Sequence, residues 1–286
     1  MSTVQHAQTP ADARRELADD QARAERVAIM HRRRAALQNF GIRMVSLAIF
    51  LGIWQIAAAN VDPVLFTSPS KVAVAAFGMI ASGELWAGLW PSLLVLVMGL
   101  TLAIVFGTLL GLALARFPIL DVGLTVYITF LYSIPSVALV PLIVLWAGFE
   151  TTAKVIILFL FAFFPMVINT YQGVKAVDPK LLEVGRAFRC SERQLWRHIV
   201  LPGALPFIVT GIRLALGRGM IGMVLADLYT AISGIGYLIV RTASTFQVDR
   251  MFVPIVTLGL LGVTLTALLR LAEQWVAPWT RVGQED

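Results

Sequence analysis

Residues 178–206 read DPKLLEVGRAFRCSERQLWRHIVLPGALP, a long polar interruption in an otherwise apolar chain. Lys180, Arg186, Arg189, Arg193, Arg197 and His198 stand there against only Asp178, Glu183 and Glu192. Asp178 ahead of Pro179 predicts a helix start, because the carboxylate caps free amides and the proline lacks an N–H that would be unpaired there anyway. Ser191 with Gln194 fits a capping box that opens a second short helix. Leu201-Pro202 is expected to close that helix, since a residue before proline is pushed out of the α region. The stretch therefore predicts two short amphipathic helices, joined near Arg189-Cys190, held between membrane spans and presented to something outside the bilayer.

Composition sets the surroundings of this segment. Hydrophobic residues make up 58% of the 286-residue chain, mean hydropathy is +0.80 and charged residues are only 14%. The charges gather at the N-terminus, in 178–206 and at the C-terminus, as expected when charge is expensive in hydrocarbon. A net charge of +6 follows from Lys and Arg crowding into cytoplasmic segments and needs no nucleic-acid partner. Cys190 is the sole cysteine, which excludes an intrachain disulfide and suits a reducing compartment. Histidines at 6, 31 and 198 are too scattered for a metal site. With no Gly-x-x-x-x-Gly-Lys-Ser/Thr run, the chain is not expected to hydrolyse ATP.

Residues 1–40, with Arg14-Arg15 and Arg32-Arg33-Arg34, read as a cytoplasmic tail, helical in part over 11–37 or else disordered. A transmembrane domain is expected over 41–278 and a short cytoplasmic tail over 279–286. Six apolar runs near the ~20 residues a bilayer requires fall at 42–60, 91–115, 122–147, 154–171, 205–230 and 251–275. The expected class is an all-α, polytopic membrane protein with six transmembrane helices. The second run carries Gly99, Gly107 and Gly111, which suit close helix packing. The third carries Pro135 and Pro141 and should bend. Placing both termini inside leaves only Lys71, Arg241 and Arg250 in the external segments 61–90, 148–153 and 231–250, with Lys154 at the edge of the fourth span.

Glu183-Val184-Gly185, then an apolar helix, then Ile199-x-Leu201-Pro202-x-Ala204-Leu205-Pro206 resembles the signature loop of permease subunits in binding-protein-dependent ABC importers. The likeness runs over about 88–278. It extends to Pro135 with Pro141-Leu142 and Trp146, to Phe163-Phe164-Pro165 with Asn169-Thr170, to Gly211-x-Arg213-x-Ala215-Leu216-Gly217, and to Gly234-x-Gly236-Tyr237. It is similar to the branch handling sulfonates, taurine, nitrate, bicarbonate and some vitamin precursors. The resemblance implies a type I importer permease fold in a bacterial inner membrane. It also implies a second permease subunit, expected as a homodimer, two ATPase subunits that bind ATP and magnesium, and a periplasmic or lipoprotein binding protein. No cofactor, catalytic residue or metal is expected in this chain. A secondary transporter would have no use for such a loop, and a membrane enzyme would need clustered catalytic side chains.

The resemblance makes Leu182, Glu183, Gly185, Phe188, Arg189, Leu195, Trp196, Leu201 and Pro202 the ATPase-docking residues. Glu183 reads as a partner for an arginine across that interface, because exposed local pairs contribute little. Three positions depart from the family's pattern. Gly185 replaces an alanine, Arg189 a glycine expected to take positive φ, and Asp227 a glutamate of the fifth span. Ser133, Pro135, Ser136, Asn169 and Asp227 are the pathway candidates, polar or bent positions at similar expected depth in three spans. Asp227 is expected to contact solute, line a gate or bond to Tyr229 and Thr230. Arg213 and Arg218 are expected near the cytoplasmic start of the fifth span, reaching the headgroups.

Overall fold

The computed structural model describes residues 37–62 and 65–276. Of the tail expected at 1–40, residues 1–36 lie outside the described residues and 37–40 instead belong to a helix; the tail expected at 279–286 also lies outside them. Two units are separate: Met1–Val61 and Asp62–Asp286. In the first, α1 (Leu37–Ala59) is a 23-residue apolar helix exposed along nearly all its length. It starts before residue 42 because Leu37 and Phe40 extend the apolar run on its N-terminal side.

The second unit contains α2 (Pro69–Ala81), α3 (Glu84–Arg116), α4 (Pro118–Ser133), α5 (Ser136–Ala147), α6 (Thr151–Lys175), α7 (Pro179–Ala187), α8 (Glu192–Leu195), α9 (Leu201–Thr230), α10 (Ile235–Ser244) and α11 (Val248–Val276). Five helices among the described residues are long and apolar enough to cross a bilayer, and six if α4 and α5 form one bent span. The expected external segments hold two helices that the apolar runs did not reveal. In α2, Ser68 accepts the Lys71 amide ahead of Pro69, a helix cap followed by proline at the first helical position.

At the centre, α6 packs against α3 and α9. Gly99, Gly107 and Gly111 recur every four or eight residues along α3, and a Cβ at each would lie within 2.7 Å of Leu158, Met166 and Thr170 of α6. Only glycine permits that approach, and it places Val95, Leu96 and Ala103 against Leu158, Ala162, Ala215 and Met223 in one core. The third span does bend, by 95°, between Ser133 and Ser136. Of its two prolines, Pro135 ends the regular turn and caps α5, while Pro141 lies inside α5 without breaking it.

The polar segment departs from expectation at its end. Pro202 does not terminate a helix: Glu192–Thr230 is one run of 39 residues. Proline cannot supply the amide at 202, and its ring crowds the carbonyl four residues back. The chain relieves this by widening into a π-turn over Trp196–Val200, where the Leu201 amide reaches the Trp196 carbonyl. The helix starts do form as read: Asp178 accepts the Lys180 amide, and Ser191 and Gln194 make a reciprocal capping box. Arg189 adopts φ 54°, keeping the left-handed turn that glycine makes elsewhere. The Cys190 amide donates to the Gly185 carbonyl and the Arg189 amide to the Arg186 carbonyl, the two bonds of a Schellman motif. A left-handed arginine costs about 1–2 kcal/mol. Arg189→Gly is therefore expected to slow amide exchange at Arg189 and Cys190 about fivefold, read by hydrogen exchange on the purified protein.

Candidate functional site

Two regions concentrate polar chemistry, at opposite ends of α9. The first is the helical hairpin of α7 and α8. Its nine-residue α7 turns two faces in different directions. Gly185 is buried, and a Cβ there would lie 2.4 Å from Leu195 Cδ2 and 3.0 Å from Ile199 Cδ1. Leu195 is only 3% exposed, so it fills the hairpin rather than facing a partner, which corrects its placement among the docking contacts. Glycine at 185 is what lets α7 sit this close to the next helix. Trp196 is half-buried beneath the Arg116 guanidinium, 5.6 Å from its ring centroid, and Arg116 also pairs with Glu192 at 3.3 Å. Leu182, Leu201 and Pro202 are half-buried.

The outward face of α7 is apolar. Phe188 is 81% exposed, Leu181 54% and Val184 53%, at a spacing of three and four residues that aligns them on one side, with Glu183 exposed beside them. Leu181 and Val184 are not among the docking residues read from the sequence, where Leu182 was named instead. Their signal was the three-and-four spacing with Phe188. Arg189 is exposed at the turn that follows.

The second region lies at the far end of α9. Asp227 is 0% exposed and Lys154 2%. Lys154 Nζ donates to Asp227 Oδ1 at 2.7 Å and to the Ser233 carbonyl at 2.5 Å. Ser92 Oγ donates to Asp227 Oδ2 at 2.5 Å and accepts the Ile235 amide at 2.8 Å. The Gly236 amide points to the same carboxylate oxygen at 3.4 Å. Gly234, at φ 106°, passes so close to Asp227 that any Cβ would collide with the carboxylate. The Gly234-x-Gly236 pattern thus seats the amino end of α10 on a buried anion, where free amides and the helix dipole favour negative charge. The knot joins α3, α6, α9 and α10.

Asp227 is therefore sealed in an ion pair and lines no cavity, and Thr230 bonds to the Ala226 carbonyl instead. Lys154 was not read from the sequence because it stands at the edge of its span. A buried aspartate requires a cation at its own level, and Lys154 is the basic residue nearest that end of α6. The remaining pathway candidates do not converge on Asp227. Asn169 donates to the Pro165 carbonyl and Ser133 to the Thr129 carbonyl, while Ser133 and Pro135 are exposed and Ser136 is half-buried at the bend. Arg213 Nη2 donates to both carboxylate oxygens of Glu273 of α11, at 2.8 and 2.6 Å. Arg218 is not near the docking end; it lies well inside α9.

Removing one member of a buried pair leaves an uncompensated charge, which costs about 3–5 kcal/mol. Lys154→Met is expected to lower the melting temperature of the purified protein sharply, and Lys154→Met with Asp227→Asn to recover part of that loss. Equal stability of wild type and Lys154→Met would contradict the ion pair.

Residues 103–282 match the family described as binding-protein-dependent transport system inner membrane component. The chain is 32% identical over 234 residues to a putative aliphatic sulfonates transport permease of Bacillus subtilis, covering 81% of this chain and 85% of that one. It is 34% identical to the Escherichia coli protein of the same description, over 80% of this chain and 88% of that one. Its fold is similar to the crystal structure of an amino acid ABC transporter with histidines, with a TM-score of 0.54 at 17% identity over 71% of this chain and 97% of that one. A match across most of the chain and identities above 30% lead to one conclusion: the chain belongs to the binding-protein-dependent transport system inner membrane component family and is a permease of an ABC importer.

Proposed function

We propose that this permease forms the membrane path for a small polar anion and is driven by an ATPase subunit that grips the outer face of α7. The observation that carries this reading is the exposed apolar row Leu181, Val184 and Phe188 with Glu183 beside it. Large apolar side chains on a helix in water favour burial against a partner, and the acid supplies a contact for a basic residue there. The mechanical link is direct. α8, the π-turn and α9 are one 39-residue run, so a force on the hairpin is applied to a membrane helix. Arg116 adds a second attachment by tying α8 and Trp196 to the end of α3.

The ATP and magnesium then belong to the partner chain, and the cycle is alternating access between two permease copies fed by a binding protein. The hairpin end faces the cytoplasm on this reading, because Arg116, Lys175 and the six basic groups of 178–206 stand there. Both termini would share that side. The names of the sulfonate permeases support a sulfonate-like solute. The Glu84 carboxylate, which meets Arg250 and lies 3.6 Å from Arg241, then belongs to the outer end.

Phe188→Asp and Glu183→Lys are each expected to leave the permease inserted and folded while abolishing co-purification of the co-expressed ATPase. Normal co-purification of both variants would overturn the docking assignment.

A further inference from the structure

Arg218 has no carboxylate partner among the described residues, yet it lies deep in α9. It stands 17 residues past Leu201 and 12 before Thr230, about 26 Å and 18 Å along the helix at 1.5 Å per residue. Its neighbour Gly219 faces Leu158 and Ala162, in the middle of α6. Arg218 also stands at the middle of the apolar run expected at 205–230, farthest from both of its ends. The residue is exposed on the surface of this chain. A charge at such depth is too costly to face lipid and marks a bundle interior or a water-filled cavity.

The break in the third span lies at the same place. The Arg218 guanidinium carbon is 4.9 Å from the centroid of the Tyr132 ring, at the end of α4. Tyr132 in turn lies 6.2 Å from Phe164 of α6. Ser133 is the last residue of α4, the chain turns by 95°, and Ser136 opens α5. A spanning segment tolerates broken backbone only against protein or a water-filled cavity. An uncompensated guanidinium and a broken helix thus mark one level independently.

We propose that Arg218, laid on the face of Tyr132, is the anion contact of the translocation path and receives the oxyanion head of the solute, a sulfonate in chemistry. This rests on the permease reading above and assigns a site within it. Guanidinium keeps its charge at every physiological pH and presents a planar fork of donors that matches two oxygens of an oxyanion. The ring covers one face of the cation without neutralising it, and leaves the edge donors for the solute. Arg213, held by both oxygens of Glu273, is already satisfied and does not serve this purpose.

The test uses the assembled permease–ATPase complex in membranes, in a Cys190→Ser background. Ser133→Cys and Ser136→Cys are labelled separately with anionic sulfonatoethyl methanethiosulfonate and with its cationic trimethylammonioethyl counterpart. Rates are normalised to those of a free thiol. The anionic reagent is expected to be favoured by about tenfold or more. The preference should persist with Arg218→Lys and vanish with Arg218→Gln, and ethanesulfonate should slow labelling only while the cation is present. Reaction without charge preference, or a preference unchanged by Arg218→Gln, overturns the anion site and leaves the permease reading standing. If neither cysteine reacts with either reagent at any stage of ATP turnover, no aqueous path passes here and the anion site falls, while the docking reading stands or falls with the co-purification test.

Discussion

A lysine and an aspartate sealed together between four helices fix one end of this protein. Lys154 and Asp227 come from α6 and α9, Ser92 from α3 bridges the carboxylate to the Ile235 amide, and the amino end of α10 closes over the pair. Neither charge has access to water, and each has its remaining hydrogen-bonding capacity filled. A pair in that state does not separate cheaply, because separation strands a charge in an apolar interior. The glycines at 234 and 236 follow from it, since a side chain at either position would occupy the space of the aspartate. So does the placing of α10, whose Leu238 sits where a Cβ on Gly88 of α3 would be.

The opposite end is held by different means. The π-turn at Trp196–Val200 is a local widening forced by Pro202, and it lies where the hairpin passes into α9. The hairpin is tied to the end of α3 by partly solvated contacts, Arg116 with Glu192 and with Trp196. Exposed pairs of this kind are worth at most about 1 kcal/mol and can be remade in a second arrangement. Between the two ends lies the broken span with Arg218 beside it, so the described unit has a sealed knot at one end, a bent middle and a helical hairpin at the other.

Much of this was legible in the residues, and the failures have physical causes. The hairpin helices and their caps were readable because capping is local chemistry: Asp178 and Ser191 each act on an amide two or three residues away. The close packing of α3 was readable from Gly99, Gly107 and Gly111 for the same reason, as small residues at fourfold spacing make one stripe. Pro202 was misread because proline can either end a helix or be absorbed by a π-turn, as it is here over Trp196–Val200. Asp227 was misread because an acid in a span announces cost but not its partner, which lies 73 residues away. The helices α2 and α10 were missed because each is short and flanked by turn residues, and α10 depends on its docking to Asp227. Arg218 was misjudged by measuring depth from the nearest charges rather than along the helix.

If the knot around Lys154 and Asp227 holds one end of the protein fixed, it stays closed throughout transport. Gly88→Cys and Leu238→Cys, introduced together in a Cys190→Ser background, place thiols on α3 and α10 at their contact. Uptake of a radiolabelled alkanesulfonate such as ethanesulfonate by proteoliposomes holding the permease, its ATPase and its binding protein is then measured with the disulfide formed and again after reduction. A knot that stays closed predicts ATP-driven uptake at the same rate in both conditions. Uptake that stops when the disulfide forms and returns on reduction would show that α10 must leave α3 during transport, and would contradict it.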